Sequence, residues 1–239
     1  MGRAHEVRAK KMAATSAAKS ALYMRASKEI YMAAKSGEPD PNSNLALRAV
    51  LEKYRGQGVT KDVIERAIQK AKGGEVTAYE SGRYEGFGPG GTSIIVDTLT
   101  DNVRRAYDSV RMCFTKKGGH LGTPGSVSFN FTETGLITFQ GDNVDEVTDA
   151  LIMGDVNVDD VEKEDDLIVV KVEKTDLMKA KTCLNEMGIN DFEECEVTML
   201  PNEYVNLSGE DARKFQDLLD LLDDNEDVQN VYHNGIIEE

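Results

Sequence analysis

The stretch GLITFQGDNVDEVTDALIMGDVNVDDVEKEDDLIVVKVE, residues 135–173, decides the fold. Short runs of alternating apolar residues in it predict strands, and they are separated by a segment with helical spacing that ends at Gly154. Together with the next helix and strand, the series is β-α-β-β-α-β, the order of a ferredoxin-like unit. The predicted strands are 135–139, about 157–163, 167–173 and 193–199. The predicted helices are 143–153 and 175–187.

The segments on either side of this unit predict a second sheet that the first one interrupts. Residues 79–132 have a period of two and supply strand-helix-strand, and residues 203–232 supply helix-strand. The predicted elements are a strand at 92–99, a helix at 102–117, a strand at 126–132, a helix that begins at the capping box Ser208–Asp211, and a strand at 227–232.

The first 72 residues have helical spacing throughout. Helices are predicted at 17–36 and 43–55, and a third begins after Thr60 and ends at Gly73. The fold class is therefore α+β, an N-terminal helical bundle followed by two ferredoxin-like α/β domains, one inserted into the other. The domains are residues 1–76, residues 77–133 with 200–239, and residues 134–199.

Charge is divided unevenly along the chain. Residues 1–74 carry 15 Lys+Arg against 7 Asp+Glu, whereas the remaining residues carry 13 against 36, which together give the net charge of −15. A compact basic segment is the electrostatic signature of a protein that binds a phosphate backbone. We therefore expect nucleic acid, either DNA or ribosomal RNA, to bind the N-terminal domain, with the ribosome as a possible partner.

Two groups of residues are candidates for that contact. Residues 25, 28 and 35 fall on one outward face of the first helix, and the glycine-rich loop 116–126 has cationic side chains that can touch phosphates. No helix-turn-helix or zinc finger is evident, so backbone and shape recognition is expected. The candidate residues are Arg3, Arg8, Lys10, Lys11, Lys19, Arg25, Lys28, Lys35, Lys116, Lys117 and His120.

Other site classes find little support in the sequence. The loop Arg83–Gly91 is rich in glycine but leads into a strand, so we interpret it as a structural turn and not as a nucleotide loop. Val127, Phe129 and Phe131 alternate with polar residues; aromatic residues on a sheet can stack on RNA bases, but these share a face with Val127 and are expected in the core. No catalytic constellation, metal-ligand spacing, cofactor motif or small-molecule substrate site is apparent, so we expect a protein that is not an enzyme. A cytoplasmic location without membrane contact is expected, because no apolar run approaches a membrane span.

Five motifs together carry a resemblance to a known family. They are Gly37–Pro41, Lys61–Ile68, Arg83–Pro89, the pair Gly118–Gly122 and Gly125–Val127, and Asp227–Tyr232. In this order, and over nearly the full length, the chain resembles the YebC family, in particular its YeeN-like branch. That family includes bacterial proteins described as transcriptional regulators and the mitochondrial translational activator of cytochrome oxidase.

The resemblance implies three domains and a non-enzymatic role in gene expression. Three functions stay open: a DNA-binding transcriptional regulator, a ribosome-associated translation factor that binds ribosomal RNA and relieves stalled translation, and an acidic scaffold that binds a basic protein. The resemblance favours the first, while the absence of a base-reading element and the glycine-rich loop favour the second.

Overall fold

The computed structural model describes residues 16–55, 57–73 and 78–237. These residues divide into two compact units. Residues 132–200 form one, which we call the inserted unit, and the described residues on both sides of it form the other, which we call the host unit. The helical segment belongs to the host unit, so a boundary near residue 76 stays a prediction.

The helical segment begins the host unit. Its helices are α1 (Ser16–Lys35), α2 (Leu45–Arg55) and α3 (Lys61–Lys72), close to the predicted bounds. Small and apolar residues meet between them, including Ala26, Ile30, Leu47 and Ala67. Asn44 holds the turn before α2: its Nδ2 donates to the Ala33 carbonyl oxygen at 2.8 Å, and its Oδ1 accepts from the Leu47 amide at 3.0 Å.

A four-stranded sheet with order β3-β1-β2-β9 forms the rest of the host unit, together with two helices. Its first strands form an antiparallel hairpin, because residues 80–87 supply a strand in addition to the one predicted near 92–99. The elements are β1 (Glu80–Phe87), β2 (Ser93–Thr100), α4 (Val103–Lys116), β3 (His120–Leu121), α7 (Gly209–Asp223) and β9 (Val228–His233). A short parallel pair, β8 (Val205–Leu207) and β10 (Gly235–Ile237), was not predicted.

The predicted strand at 126–132 is wrong in its first half. Residues Ser128–Asn130 form a 3₁₀ turn, and the strand begins only at Phe131. Val127 and Phe131 are buried as expected, but Phe129 is 71% exposed and does not lie in the core. The turn breaks the alternation because the amides of Val127 and Ser128 donate to the carboxylate of Glu85, which lies 42 and 43 residues earlier in the sequence.

The inserted unit has the predicted element order and a sheet of order β5-β6-β4-β7, which is the ferredoxin-like arrangement. Its core contains Ile137, Phe139, Leu151, Val170 and Leu184, all at or below 1% exposed. The elements are β4 (Phe131–Gln140), α5 (Val144–Met153), β5 (Val158–Glu164), β6 (Leu167–Glu173), α6 (Leu177–Glu186) and β7 (Glu194–Pro201). Among the described residues, none of the helices has the length and hydropathy of a membrane span.

Candidate nucleic-acid interface

Two exposed lysines converge at one end of the helical segment. The rings of Tyr31 and Tyr79 meet edge to face with centroids 5.7 Å apart. The Nζ atoms of Lys35 and Lys70 lie 5.9 Å and 5.3 Å from the centroid of the Tyr31 ring, and Lys70 also lies 5.7 Å from that of Tyr79. We call these four residues the tyrosine–lysine cluster. It brings together cations from α1 and α3 that are 35 positions apart in the sequence.

Arg25 and Lys28, which were predicted to share an open face with Lys35, are instead engaged within the protein. Their side chains are only 15% and 12% exposed. Arg25 pairs with Asp223 at 2.8 Å and donates to the Val228 carbonyl at 2.9 Å. The partners of Lys28 are Asp227 at 3.2 Å and the carbonyl oxygens of Leu99 at 3.1 Å and Glu226 at 2.7 Å. The prediction of a free cationic face is therefore wrong for these two residues, because they fasten α1 to the sheet and α7.

Asp227 is the centre of this attachment. Its side chain is 2% exposed, and it accepts two hydrogen bonds from Arg105 at 3.1 and 3.0 Å in addition to the one from Lys28. Burial would raise the pKa of Asp227, but hydrogen bonds from Arg105, Thr100 and Lys28 outweigh it and lower the pKa below its ordinary value. The carboxylate therefore stays ionised and holds two cations from different parts of the chain.

The glycine-rich loop that connects α4 to β4 is ordered around Glu85. This residue is 6% exposed, and its carboxylate accepts from the amides of Gly125 at 2.8 Å, Val127 at 2.8 Å and Ser128 at 2.9 Å. Burial would raise the pKa of Glu85, but these three backbone hydrogen bonds lower it below its ordinary value. The loop is therefore held at three backbone amides within four residues by a single ionised group.

Close backbone approach explains two of the glycines at this place. A Cβ on Gly119 would lie 2.5 Å from the Phe87 carbonyl oxygen, and one on Gly86 would lie 2.6 Å from the Phe114 ring. The short strand β3 pairs with β1 here, and the exposed ring of His120 stacks on Phe87 with centroids 5.3 Å apart. The loop therefore presents its side chains from a fixed backbone.

The segment Arg83–Gly91, which was predicted to be a structural turn, is a turn only from Gly88 onward. Its residues belong to β1 and to the tight connection that leads into β2. Gly90 has a φ of 66°, and a Cβ there would lie 2.3 Å from Leu207. Only glycine fits this position, for steric reasons that involve no ligand.

The remaining predicted residues differ in their surroundings. Lys19, Lys116 and His120 are exposed, whereas Lys117 pairs with Asp217 at 2.8 Å. Four predicted residues lie outside the described part of the chain: Arg3, Arg8, Lys10 and Lys11. Lys35 and Lys116 therefore belong to different parts of the host unit, and the structure does not join them into one patch through any contact among the described residues.

Three residues of the site escaped the sequence analysis. Lys70 carries one sequence signal, its place in the basic last turn of α3. Glu85 and Asp227 are each one carboxylate among the chain's 43, and no local pattern distinguishes them. Both act through groups far away in sequence, so only the tertiary structure identifies them.

Among residues 16–55, 57–73 and 78–237, no three potential metal ligands of the His, Cys, Asp or Glu type come together. The thiol of Cys113 is half-buried, and burial raises its pKa, which makes it a poor nucleophile at neutral pH.

Comparisons with known proteins cover the whole described chain. Residues 3–74 match the TACO1/YebC protein N-terminal domain, and residues 79–235 match the TACO1/YebC second and third domain. Proteins named probable transcriptional regulatory protein from Vibrio cholerae and Mesoplasma florum are each 48% identical, over 100% and 99% of this chain and 100% of each relative. A crystal structure of a conserved hypothetical protein from Aquifex aeolicus is 31% identical, with a TM-score of 0.77 over 92% of this chain and 91% of that one. The chain belongs to the TACO1/YebC family.

Proposed function

We propose that this protein is a non-enzymatic, cytoplasmic regulator of gene expression that binds nucleic acid, and that DNA-binding control of transcription is its first candidate role. The observation that carries the proposal is the tyrosine–lysine cluster, where two exposed ammonium groups meet on a rigid pair of helices. The names of the Vibrio and Mesoplasma relatives support the transcriptional role.

The physical basis is the release of counterions from a polyanion. Each phosphate that a lysine neutralises frees condensed cations, so affinity falls steeply as salt rises. Lys35 and Lys70 are suited to this because their ammonium groups are exposed while the Tyr31 ring beneath them is 2% exposed. Cations held over an aromatic face lose less conformational freedom on binding than free surface lysines.

A salt titration with charge-reversed variants tests the proposal. In Lys35→Glu/Lys70→Glu, we expect the affinity for a 20-base-pair DNA duplex to fall at least tenfold at about 100 mM salt, and the slope of log K against log salt to shrink by about two. The affinity is measured by fluorescence anisotropy between about 50 and 200 mM salt.

The matched control is Lys163→Glu/Lys174→Glu, which makes the same charge change on half-exposed lysines of the inserted unit. This control is expected to keep the wild-type slope. Equal losses in both double variants would show that only total charge matters, and would refute the assignment of the cluster. Thermal unfolding of each variant checks that the fold is retained.

A specific observation favours a second candidate, the ribosome-associated translation factor. The loop at 116–130 contains two lysines, one histidine and no acidic residue, and Glu85 fixes its backbone. A preorganised, extended loop can enter a confined RNA site without the ordering cost that a flexible loop would incur.

Sedimentation of cell lysate through a sucrose gradient separates the two roles. Migration with ribosomal particles that is lost in Lys116→Ala, or when salt is raised, supports the translation role. Absence from ribosomal particles, with nuclease-sensitive retention on DNA, supports the transcriptional role.

The acidic-scaffold alternative rests on the inserted unit. Residues 132–200 contain 5 Lys against 19 Asp+Glu, a net charge of −14. This unit would repel a polyanion and attract a basic protein. The negative charge of the inserted unit is therefore compatible with both roles. It would attract a basic protein partner, and it would restrict nucleic acid to the host unit.

A further inference from the structure

Phe129 is an exposed aromatic side chain on a backbone that is fixed on both sides. The Ser128 amide donates to Glu85 at 2.9 Å, and the Phe129 carbonyl oxygen accepts from Asn202 Nδ2 at 3.3 Å. The next carbonyl oxygen, that of Asn130, accepts from the Asn202 amide at 2.8 Å. The ring nevertheless points outward and is 71% exposed.

The exposure of Phe129 requires an explanation, because the local sequence is compatible with a strand in which its side chain would be buried. In a continuous strand, Phe129 would share the inward face of Val127 and Phe131, which are 0% and 7% exposed. Burial of a phenylalanine side chain stabilises a protein, so the turn gives up that stabilisation. An aromatic ring held rigidly in water is the form that a binding site takes when the ordering cost is met during folding.

The surroundings of the ring indicate what it binds. Ser128 and Asn130 flank it in the sequence, Asn202 bonds its carbonyl oxygen, and all three are small and polar, unlike the apolar residues that enrich the centre of a protein–protein interface. Residues 116–130 carry positive charge and no carboxylate other than the buried Glu85 that they enclose. A ligand with a flat π-face, polar edges and negative charge fits these surroundings.

We propose that Phe129 stacks on unpaired bases of single-stranded nucleic acid. Tyr204 lies two residues after Asn202, the residue that bonds the Phe129 carbonyl oxygen, and is a second exposed aromatic residue, at 58%. Bases in a duplex already stack on one another, so a phenyl ring would have to separate them, whereas unpaired bases are available. The inference rests on the proposed nucleic-acid binding and names the form of nucleic acid that the loop recognises.

Equilibrium binding to labelled 12-nucleotide pyrimidine-rich strands, made as RNA and as DNA, tests the inference. Phe129→Leu keeps an apolar side chain of similar size but has no π-face. We expect it to weaken binding of the single strand about 5- to 150-fold, the range for loss of one stacked base. The salt slope is expected to stay unchanged because no cation is lost. Phe129→Trp is expected to retain wild-type affinity.

Two controls test whether a loss of affinity is specific to Phe129 and to single strands. Met112→Ala removes a different exposed apolar side chain of the host unit, 51% exposed, and is expected to leave the affinity unchanged. The duplex of the same sequence is expected to bind wild type and Phe129→Leu equally. The RNA and DNA strands show whether the 2′-hydroxyl contributes.

Each other outcome overturns the inference in a distinguishable way. Equal affinity of wild type and Phe129→Leu for single strands removes the stacking role and leaves the proposed function intact. Equal losses on single strand and duplex show that the effect is not stacking. If Phe129→Leu alters self-association in analytical ultracentrifugation and not oligonucleotide binding, the ring is a protein contact. If the wild type binds no oligonucleotide at all, the proposed function itself fails.

Discussion

Replacing Asp227 with asparagine is expected to lower the free energy of unfolding by about 3–5 kcal/mol, the usual loss when one partner of a buried ion pair is removed. The substitution keeps the shape of the side chain and removes its charge. Lys28, whose side chain is 12% exposed, then keeps its positive charge without an anionic partner, beside the carbonyl oxygens of Leu99 and Glu226. Arg105 loses a carboxylate that it contacts through two nitrogen atoms.

The matched control is Asp223→Asn at the neighbouring ion pair. Asp223 is 57% exposed where it pairs with Arg25, so this change is expected to cost no more than about 1 kcal/mol. Urea unfolding of the three proteins measures both values. Similar small losses for the two variants would show that Asp227 is not the centre of the attachment between α1 and the sheet.

Replacing Glu85 with glutamine is expected to cost about 2–4 kcal/mol. The carboxylate accepts three backbone hydrogen bonds, and a glutamine amide has one oxygen and a nitrogen that would face amide donors. The loop is expected to lose its fixed backbone, so Phe129 would become mobile even where the rest of the protein stays folded. Amide hydrogen exchange at Val127 and Ser128 reports this loss directly.

The loss of stability caused by Glu85→Gln is expected to become smaller as the pH falls into the acidic range. The folded protein lowers the pKa of Glu85, so the stability that its ionised form contributes is complete above the unfolded pKa, about 4.3. That contribution is lost as pH falls through the lower pKa of the folded state. The difference in unfolding free energy between wild type and variant should therefore be constant from about pH 5.5 to 7 and shrink below about pH 4. A difference that stays constant to pH 3 would contradict this account.

The inserted unit could be predicted from sequence because its signals are local. The nearly continuous apolar run in residues 167–173 and the helical spacing in 143–153 need no distant partner, and the observed β6 and α5 agree within one residue at either end. Gly154 and Gly188 likewise end the helices that directly precede them, so these helix ends are also local signals. Local patterns are reliable where tertiary contacts reinforce them.

Residues 126–132 show where local patterns fail. Apolar and polar residues alternate cleanly there, yet the amides of Val127 and Ser128 bond to Glu85 and not to a neighbouring strand. An acceptor 42 residues away in sequence therefore determines the turn and the exposure of Phe129. β1 was missed for a related reason: its sequence ESGRYEGF is poor in apolar residues and is held by pairing with β2 and β3.

The cationic residues show the same limit on function. Arg25, Lys28 and Lys35 lie on the same face of the predicted helix, and no feature of the α1 sequence distinguishes one from another. Only the position of Asp223 and Asp227 makes the first two structural and leaves the third exposed. Charge bias along a sequence thus identifies a basic segment but not which of its cations are available to a ligand.

The pairing of β2 with β9 has a consequence for how the chain folds during synthesis. β9 comes after the entire inserted unit in the sequence. The partners of Arg25 are Asp223 and Val228, which follow Arg25 by 198 and 203 residues. The ribosome therefore releases the helical segment long before its docking surface exists, whereas residues 132–200 contain all the strands that their own sheet needs. A chain truncated after Pro201 is expected to contain a protease-resistant inserted unit and protease-sensitive helices. The first segment to be made would be the last to reach its final place.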